Sequence, residues 1–187
     1  MFHYNLHPLF KKYKLIEYRN ITSTQDKIKG KIKEKEDLYI VKANIQTKGR
    51  GRYGKKWESP EGGLWFSFNT KKEVDEDKFL IEVSLSLIKT LSKFKRGFQL
   101  KYPNDVIYKG KKIAGILIEV WRNYYITGIR INVNNTEYPK NGVSLYEIVN
   151  RKEKIDLNQI VLSFFENLEK KEISFTEYKK LLIQVKK

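Results

Sequence analysis

At 187 residues and without a cysteine, the chain is long enough to bury a substantial core but can form neither a disulfide nor a thiolate metal site. Hydrophobic residues make up 40% and charged residues 32%, a soluble mix, and no apolar run reaches the length of a membrane span. The formal net charge of +16 fits either a lysine-rich surface or a polyanionic partner, but the charges are spread along the chain, which argues against a dedicated nucleic-acid-binding face.

The N-terminal MFHYNLHPLF lacks the apolar core of a secretory signal, so the chain reads as cytoplasmic. His3 and His7 stand four apart, but Pro8 opposes a regular helix and no acidic third ligand is near. They are read as surface residues, and no metal site is expected. Leu15–Tyr18 predicts a short strand. Ser or Thr within Thr22-Ser23-Thr24 then caps a lysine-rich helix running to about Glu36. Hydroxyls at such a junction could also face a ligand; composition alone favours the cap.

Leu38–Ile45 and Gly63–Phe68 predict two strands. Between them Gln46–Ser59 (QTKGRGRYGKKWES) carries three glycines, two arginines and three lysines. Glycines allow close backbone approach to a ligand, and their N–H groups can form an anion-binding nest. Arg50 and Arg52 add planar forks for phosphate or carboxylate oxygens, and Trp57 a flat surface for a base. Loops of this composition also bind nucleic acid or serve as plain solvated turns.

Beyond a charged turn, Phe79, Val83, Leu87 and Leu91 follow helical spacing to about Phe94, with Leu80, Ser84 and Ile88 on the adjoining stripe and a stop at Gly97. Strands follow at Phe98–Tyr102, Val106–Tyr108 and Lys112–Val120, the first two separated by Pro103-Asn104-Asp105 and the last two by a Lys-Gly turn. Alternation places Lys112 on one face with Ala114 and Ile116, where a lysine beside small side chains could project into a cavity. Equally, it could be an edge-strand lysine that discourages aggregation. Tyr124–Val133 predicts a strand broken at Gly128. A short helix over Val143–Val149 capped by Ser144, an amphipathic helix over Asp156–Lys171 and a last helix over Phe175–Val185 complete the chain. The pattern predicts an α+β fold, a mixed or largely antiparallel sheet backed by helices.

Seven blocks in order resemble the biotin protein ligases: Ser23-Thr24-Gln25, the Gln46–Gly54 loop, Lys56-Trp57, Gly63-Leu64-x-Phe66-Ser67, Lys101-Tyr102-Pro103-Asn104-Asp105, Lys112–Glu119 and Gly128–Asn134. The resemblance implies a catalytic domain of the type shared with lipoate ligases. It implies that biotin and ATP with Mg²⁺ give biotinyl-5′-AMP and pyrophosphate, and that a lysine of a biotin carrier domain, such as that of acetyl-CoA carboxylase, then attacks the adenylate. By matching the motifs, Lys112, Arg50, Arg52 and Asp105 are the catalytic candidates. Ser23, Thr24, Gln25, Gln46, Gly49, Arg50, Lys112 and Gly115 would hold biotin. Arg52, Lys56, Trp57, Asn104, Lys112 and Asn132 would hold ATP. The Gly49–Gly54 loop is expected to order over both ligands, and Asp105 to orient or deprotonate the acceptor amine.

The chain departs from the family pattern at Gln25, where Asn is usual, at Tyr102 in place of Trp, and at Arg130 in place of a second glycine. A bulky cation at 130 either crowds the adenine pocket or adds a phosphate contact. The expected organisation is one catalytic domain over 1–187, with neither an N-terminal DNA-binding domain nor a C-terminal β-barrel domain, acting as monomer or homodimer without a specific nucleic acid or membrane. The alternatives are a lipoate or octanoate ligase on the same fold and a non-catalytic basic binding module.

Overall fold

The computed structural model describes residues 12–32, 38–170 and 174–183. His3, His7, residues 33–36 of the first predicted helix, residue 171 of the amphipathic one and residues 184 and 185 of the last one lie outside them. The first part of the chain forms β1 (Lys14–Ile21), α1 (Thr24–Lys31), β2 (Tyr39–Gln46), β3 (Leu64–Lys71) and α2 (Glu76–Ser92). A run of strands follows: β4 (Phe98–Lys101), β5 (Asp105–Tyr108), β6 (Lys111–Trp121) and β7 (Tyr124–Ile131). The chain then continues through α3 (Leu145–Val149), α4 (Leu157–Glu169) and α5 (Phe175–Leu181). The strands form one sheet in the order β1-β2-β3-β7-β6-β5-β4. β1 pairs with β2 in parallel, whereas β2–β3, β4–β5 and β5–β6 are antiparallel, so the sheet is mixed and helix-backed as the sequence predicts. No helix among the described residues is long and apolar enough to cross a membrane.

By its internal contacts the chain divides into two compact units, Met1–Glu73 with Leu117–Arg130 and Val74–Ile116 with Ile131–Lys187. In the first, α1 lays Ile28 on a core of Ile21, Val41, Ala43, Tyr124 and Ile126. α1 stops at Lys31, short of the predicted Glu36. Ile32 leaves helical geometry and turns into that same core, where its burial is favourable. β7 is buried along its whole length, which corrects the predicted break at Gly128. A Cβ at Gly128 would lie 2.9 Å from Gln25 Oε1, so the glycine makes room for a side chain and does not end the strand.

In the second unit, α2 buries both of its predicted stripes except the half-buried Leu80, and it packs against α4. Asn167 Nδ2 donates to Thr90 Oγ1 across that contact at 3.0 Å. Asp75 caps α2 by accepting from the Lys78 N–H at 2.8 Å. Ser144 caps α3 as predicted, accepting from the Glu147 N–H at 3.3 Å.

The β5–β6 pairing overturns one prediction. Val106 lies opposite Ala114 but Ile107 lies opposite Lys112, so Ile113 is an extra residue, a β-bulge. Val106 and Ile107 face opposite ways, and so do their partners. Lys112 therefore does not share a face with Ala114; it shares one with Gly115, whose partner is Asp105. Nor is it an edge lysine, since β6 lies between β5 and β7.

Candidate active site

In the first unit, the junction of β1 and α1 meets the start of the Gly-Arg loop. Ser23 occupies the N-cap position of α1, yet its side chain makes no capping bond, and its buried Oγ has no hydrogen-bond partner among the described residues. Thr24 supplies the contacts instead. Its N–H and its Oγ1 both donate to Gln46 Oε1, at 2.9 and 3.1 Å. With its one proton given to Gln46, Oγ1 accepts from Ser67 Oγ at 2.6 Å. Gln46 Nε2 donates in turn to Ser59 Oγ at 3.0 Å. The predicted biotin-pocket residues Thr24 and Gln46 are thus joined in one buried polar network.

The Gln46–Ser59 segment is an ordered antiparallel ribbon, bridged at Gln46 with Ser59 and at Arg50 with Lys56. Its tip turns through Tyr53 and Gly54, with φ of 57° and 71°. Gly49 is buried, and a Cβ there would lie 2.5 Å from the Trp57 carbonyl and 2.8 Å from Ser59 Oγ. A backbone oxygen cannot yield to a methyl group, so Gly49→Ala should force the ribbon open. Trypsin should then cut at Lys48–Lys56 about tenfold faster than in wild type, the rate reporting the opened fraction. Unchanged cleavage would show that the ribbon does not depend on this close approach.

The loop's cations divide. Arg50 closes its fork on Asp26, at 2.6 and 2.8 Å, with Glu119 3.6 Å away. The Arg50 bond holds Asp26 below the usual carboxylate range, and the same bond raises the Arg50 pKa. Arg52 points to the tip, where it stacks on exposed Tyr53 and donates to its hydroxyl at 3.3 Å. Lys56 is largely exposed, 4.0 Å from Glu58. Arg52 and Lys56 therefore do not join the buried network. Gln25, buried at the start of α1, donates through Nε2 to Glu119 Oε2 at 3.0 Å. Glu119 also pairs with Lys29 at 3.0 Å. The guanidinium of buried Arg130 lies 5.9 Å from the Trp57 ring centroid, so Trp57 carries a cation on its face.

In the second unit, Lys112 Nζ lies 2.6 Å from Asp105 Oδ1, both side chains about a quarter exposed. The backbone of Lys112 is pinned separately: its N–H donates to Asn141 O at 2.8 Å and its C=O accepts from Val143 at 3.0 Å. Asn104 Nδ2 donates to the Ile116 carbonyl at 2.7 Å, which commits that side chain to holding the turn before β5 against β6. Asn132 is buried and accepts from Asn135 Nδ2 at 3.2 Å. Among the described residues no group of three or more His, Asp or Glu could hold a metal.

Several residues in these networks were not singled out from the sequence. Asp26, Ser59, Ser67 and Glu119 each complete a bond for a predicted residue, and Asn135 orients Asn132. Asp26 follows directly on Ser23-Thr24-Gln25, and Ser67 and Glu119 lie within matched blocks. Their motif membership was visible, but their partners were not.

The model of the family described as Biotin/lipoate A/B protein ligase matches residues 16–135. Biotin–protein ligase 2 of Arabidopsis thaliana is 32% identical over 130 residues, 63% of this chain and 40% of that one. The bifunctional ligase/repressor BirA of Bacillus subtilis is 35% identical over 105 residues, 51% of this chain and 32% of that one. The chain thus spans less than half the length of these two curated relatives. Among solved structures, the biotin protein ligase from Aquifex aeolicus in complex with biotin and ATP superposes with a TM-score of 0.77 at 36% identity, covering 89% of this chain and 75% of that one. With a family model matched over more than half its length and this structural relative covered over three quarters of its own, the chain belongs to the biotin/lipoate A/B protein ligase family, among the biotin protein ligases.

Proposed function

We propose that this protein activates biotin with ATP to biotinyl-5′-AMP and pyrophosphate and then transfers the biotinyl group to a lysine of a biotin carrier domain, such as that of acetyl-CoA carboxylase. The observation that carries this reading is the Lys112–Asp105 pair, placed on one face by the β6 bulge. A biotin carboxylate oxygen attacks the α-phosphorus, and the bond to the leaving pyrophosphate breaks. The attack brings anion to anion, and Lys112 lowers that repulsion by exchanging Asp105 for the carboxylate and α-phosphate oxygens. Asp105, released from Lys112, then faces the acceptor amine. It takes the proton that the amine must lose before attacking the acyl carbon and expelling AMP.

Thr24 and Gln46, bonded to each other, would line the biotin pocket, and Ser23 would bring a buried hydroxyl that has no hydrogen-bond partner among the described residues. The Gln46–Ser59 ribbon would cover the ligands. Mg²⁺ would be held chiefly by the nucleotide's own phosphates; among the described residues no group of three or more His, Asp or Glu could hold it. The test is biotin-dependent ATP–pyrophosphate exchange with lipoate as control, followed by transfer to a carrier domain. Exchange with lipoate in place of biotin would replace this reading with a lipoate ligase, and exchange with neither acid would overturn it.

The excess of positive charge gives a second expected result. Carrier domains that are acidic would be steered to a +16 surface, so transfer should slow by roughly tenfold between about 0.05 and 0.5 M salt while adenylate formation changes little. Equal salt sensitivity of the two steps, measured separately by single turnover, would remove the steering argument.

A further inference from the structure

Arg130 sits on β7, the strand buried from end to end, and is itself only 2% exposed. Its recorded hydrogen bond is weak, from Nη2 to Gln25 Oε1 at 3.3 Å. Its Nε is buried with no hydrogen-bond partner among the described residues. No described carboxylate lies within ion-pair distance, because the two nearby acids are already engaged: Asp26 by the fork of Arg50, and Glu119 by Lys29 and Gln25. Among the described residues three cations, Lys29, Arg50 and Arg130, therefore share two carboxylates, Asp26 and Glu119, and one positive charge is left over. Buried guanidinium groups are ordinarily paired, since water can no longer solvate them. Gln25, an uncharged amide, cannot supply the missing charge. Its Nε2 is held by Glu119, which leaves only a neutral carbonyl oxygen for Arg130. Trp57 covers the guanidinium and stands on the Gln46–Ser59 ribbon, so displacement of that ribbon would open Arg130 to a ligand.

We propose that Arg130 is an anion-binding residue of the ligand site, taking an oxyanion carried by the ligand, either the carboxylate of the acid or a phosphate of the nucleotide. The role rests on the ligase reading and adds a cation to it. Arg50 holds its fork on Asp26; Arg130 has a buried donor to spare. A planar fork bound to an oxyanion would satisfy Nε and neutralise the excess charge in one step.

The experiment is equilibrium binding of four probes, biotin, biotinamide, ATP and adenosine, to wild type and Arg130→Met. Arg130→Gln, which keeps a polar head against Gln25, serves if Arg130→Met does not fold. The expected result is a loss of about tenfold or more in affinity for one charged probe with little change for its uncharged counterpart. Loss for biotin but not biotinamide assigns the carboxylate; loss for ATP but not adenosine assigns a phosphate. Unchanged binding of both charged probes overturns the proposal and leaves the ligase reading standing. So does equal loss for charged and uncharged probes, which would mark a purely structural role. Wild-type protein that binds neither biotin nor ATP overturns both.

Discussion

Lys112→Ala should lower biotin-dependent ATP–pyrophosphate exchange by about 10²–10³-fold, the usual effect of removing one preorganised group that meets developing charge in a transition state. The protein should remain folded. The Lys112–Asp105 pair is partly exposed, and such pairs contribute about 1 kcal/mol or less. What fixes β6 at this point is backbone, not side chain: the N–H on Asn141, the C=O accepting from Val143, and the pairing with Ile107. None of these needs the ammonium group. A melting curve within a few degrees of wild type, together with collapsed exchange, would therefore place the loss in chemistry. Wild-type exchange in the folded variant would remove Lys112 from the mechanism. Asp105→Asn separates the two steps. It keeps an acceptor for Lys112 but cannot take a proton, so transfer to the carrier should fall more than exchange. An equal fall in both steps would mean that Asp105 acts only by positioning Lys112.

The strands and most helices were legible in the sequence because their apolar spacing is regular and their ends are marked by Gly, Pro and capping residues. The candidate site residues were legible because they sit in contiguous blocks. What could not be read was how the blocks bond to one another. Lys112-Ile113-Ala114 looks like ordinary alternation; the bulge that turns Lys112 toward Asp105 exists only in the pairing with β5. Gly128 predicts a strand break because glycine weakens strands in general. Its purpose is to leave room for Gln25, a residue far away in the chain. By composition the hydroxyls around residue 23 predict a helix cap, and nothing in the spacing marks Asp26. In the structure Ser23 caps nothing, while Asp26 holds Arg50, a residue the motifs assign to the ligand. Each miss concerns a contact between distant segments, which periodicity and spacing do not encode.

Arg130→Met should make the ligand-free protein more stable, by about 1–2 kcal/mol, even as it impairs ligand binding. Burial, reinforced by repulsion from Arg50 and only partly countered by Glu119, lowers the Arg130 pKa from its ordinary value to about 10. A pKa unit corresponds to about 1.4 kcal/mol, so holding this charge in the folded state costs roughly 3 kcal/mol. The folded pKa lies below the unfolded one. The cost is therefore fully present below pH 10 or so and is relieved only as pH climbs above that, where the lysines also titrate. Substitution removes the cost at neutral pH without that complication. Methionine is the replacement of choice, being unbranched, similar in length and well suited to lie against the Trp57 ring. Part of the gain is offset because Gln25 Oε1 loses a donor, worth about 1 kcal/mol for so long a bond. At this chain length the remainder should raise Tm by roughly 3–6 °C. A lower Tm would mean that Arg130 is already adequately paired without ligand and is held for structure. A higher Tm with weakened binding of an anionic probe is the signature of a group kept at a cost to stability because the ligand needs it.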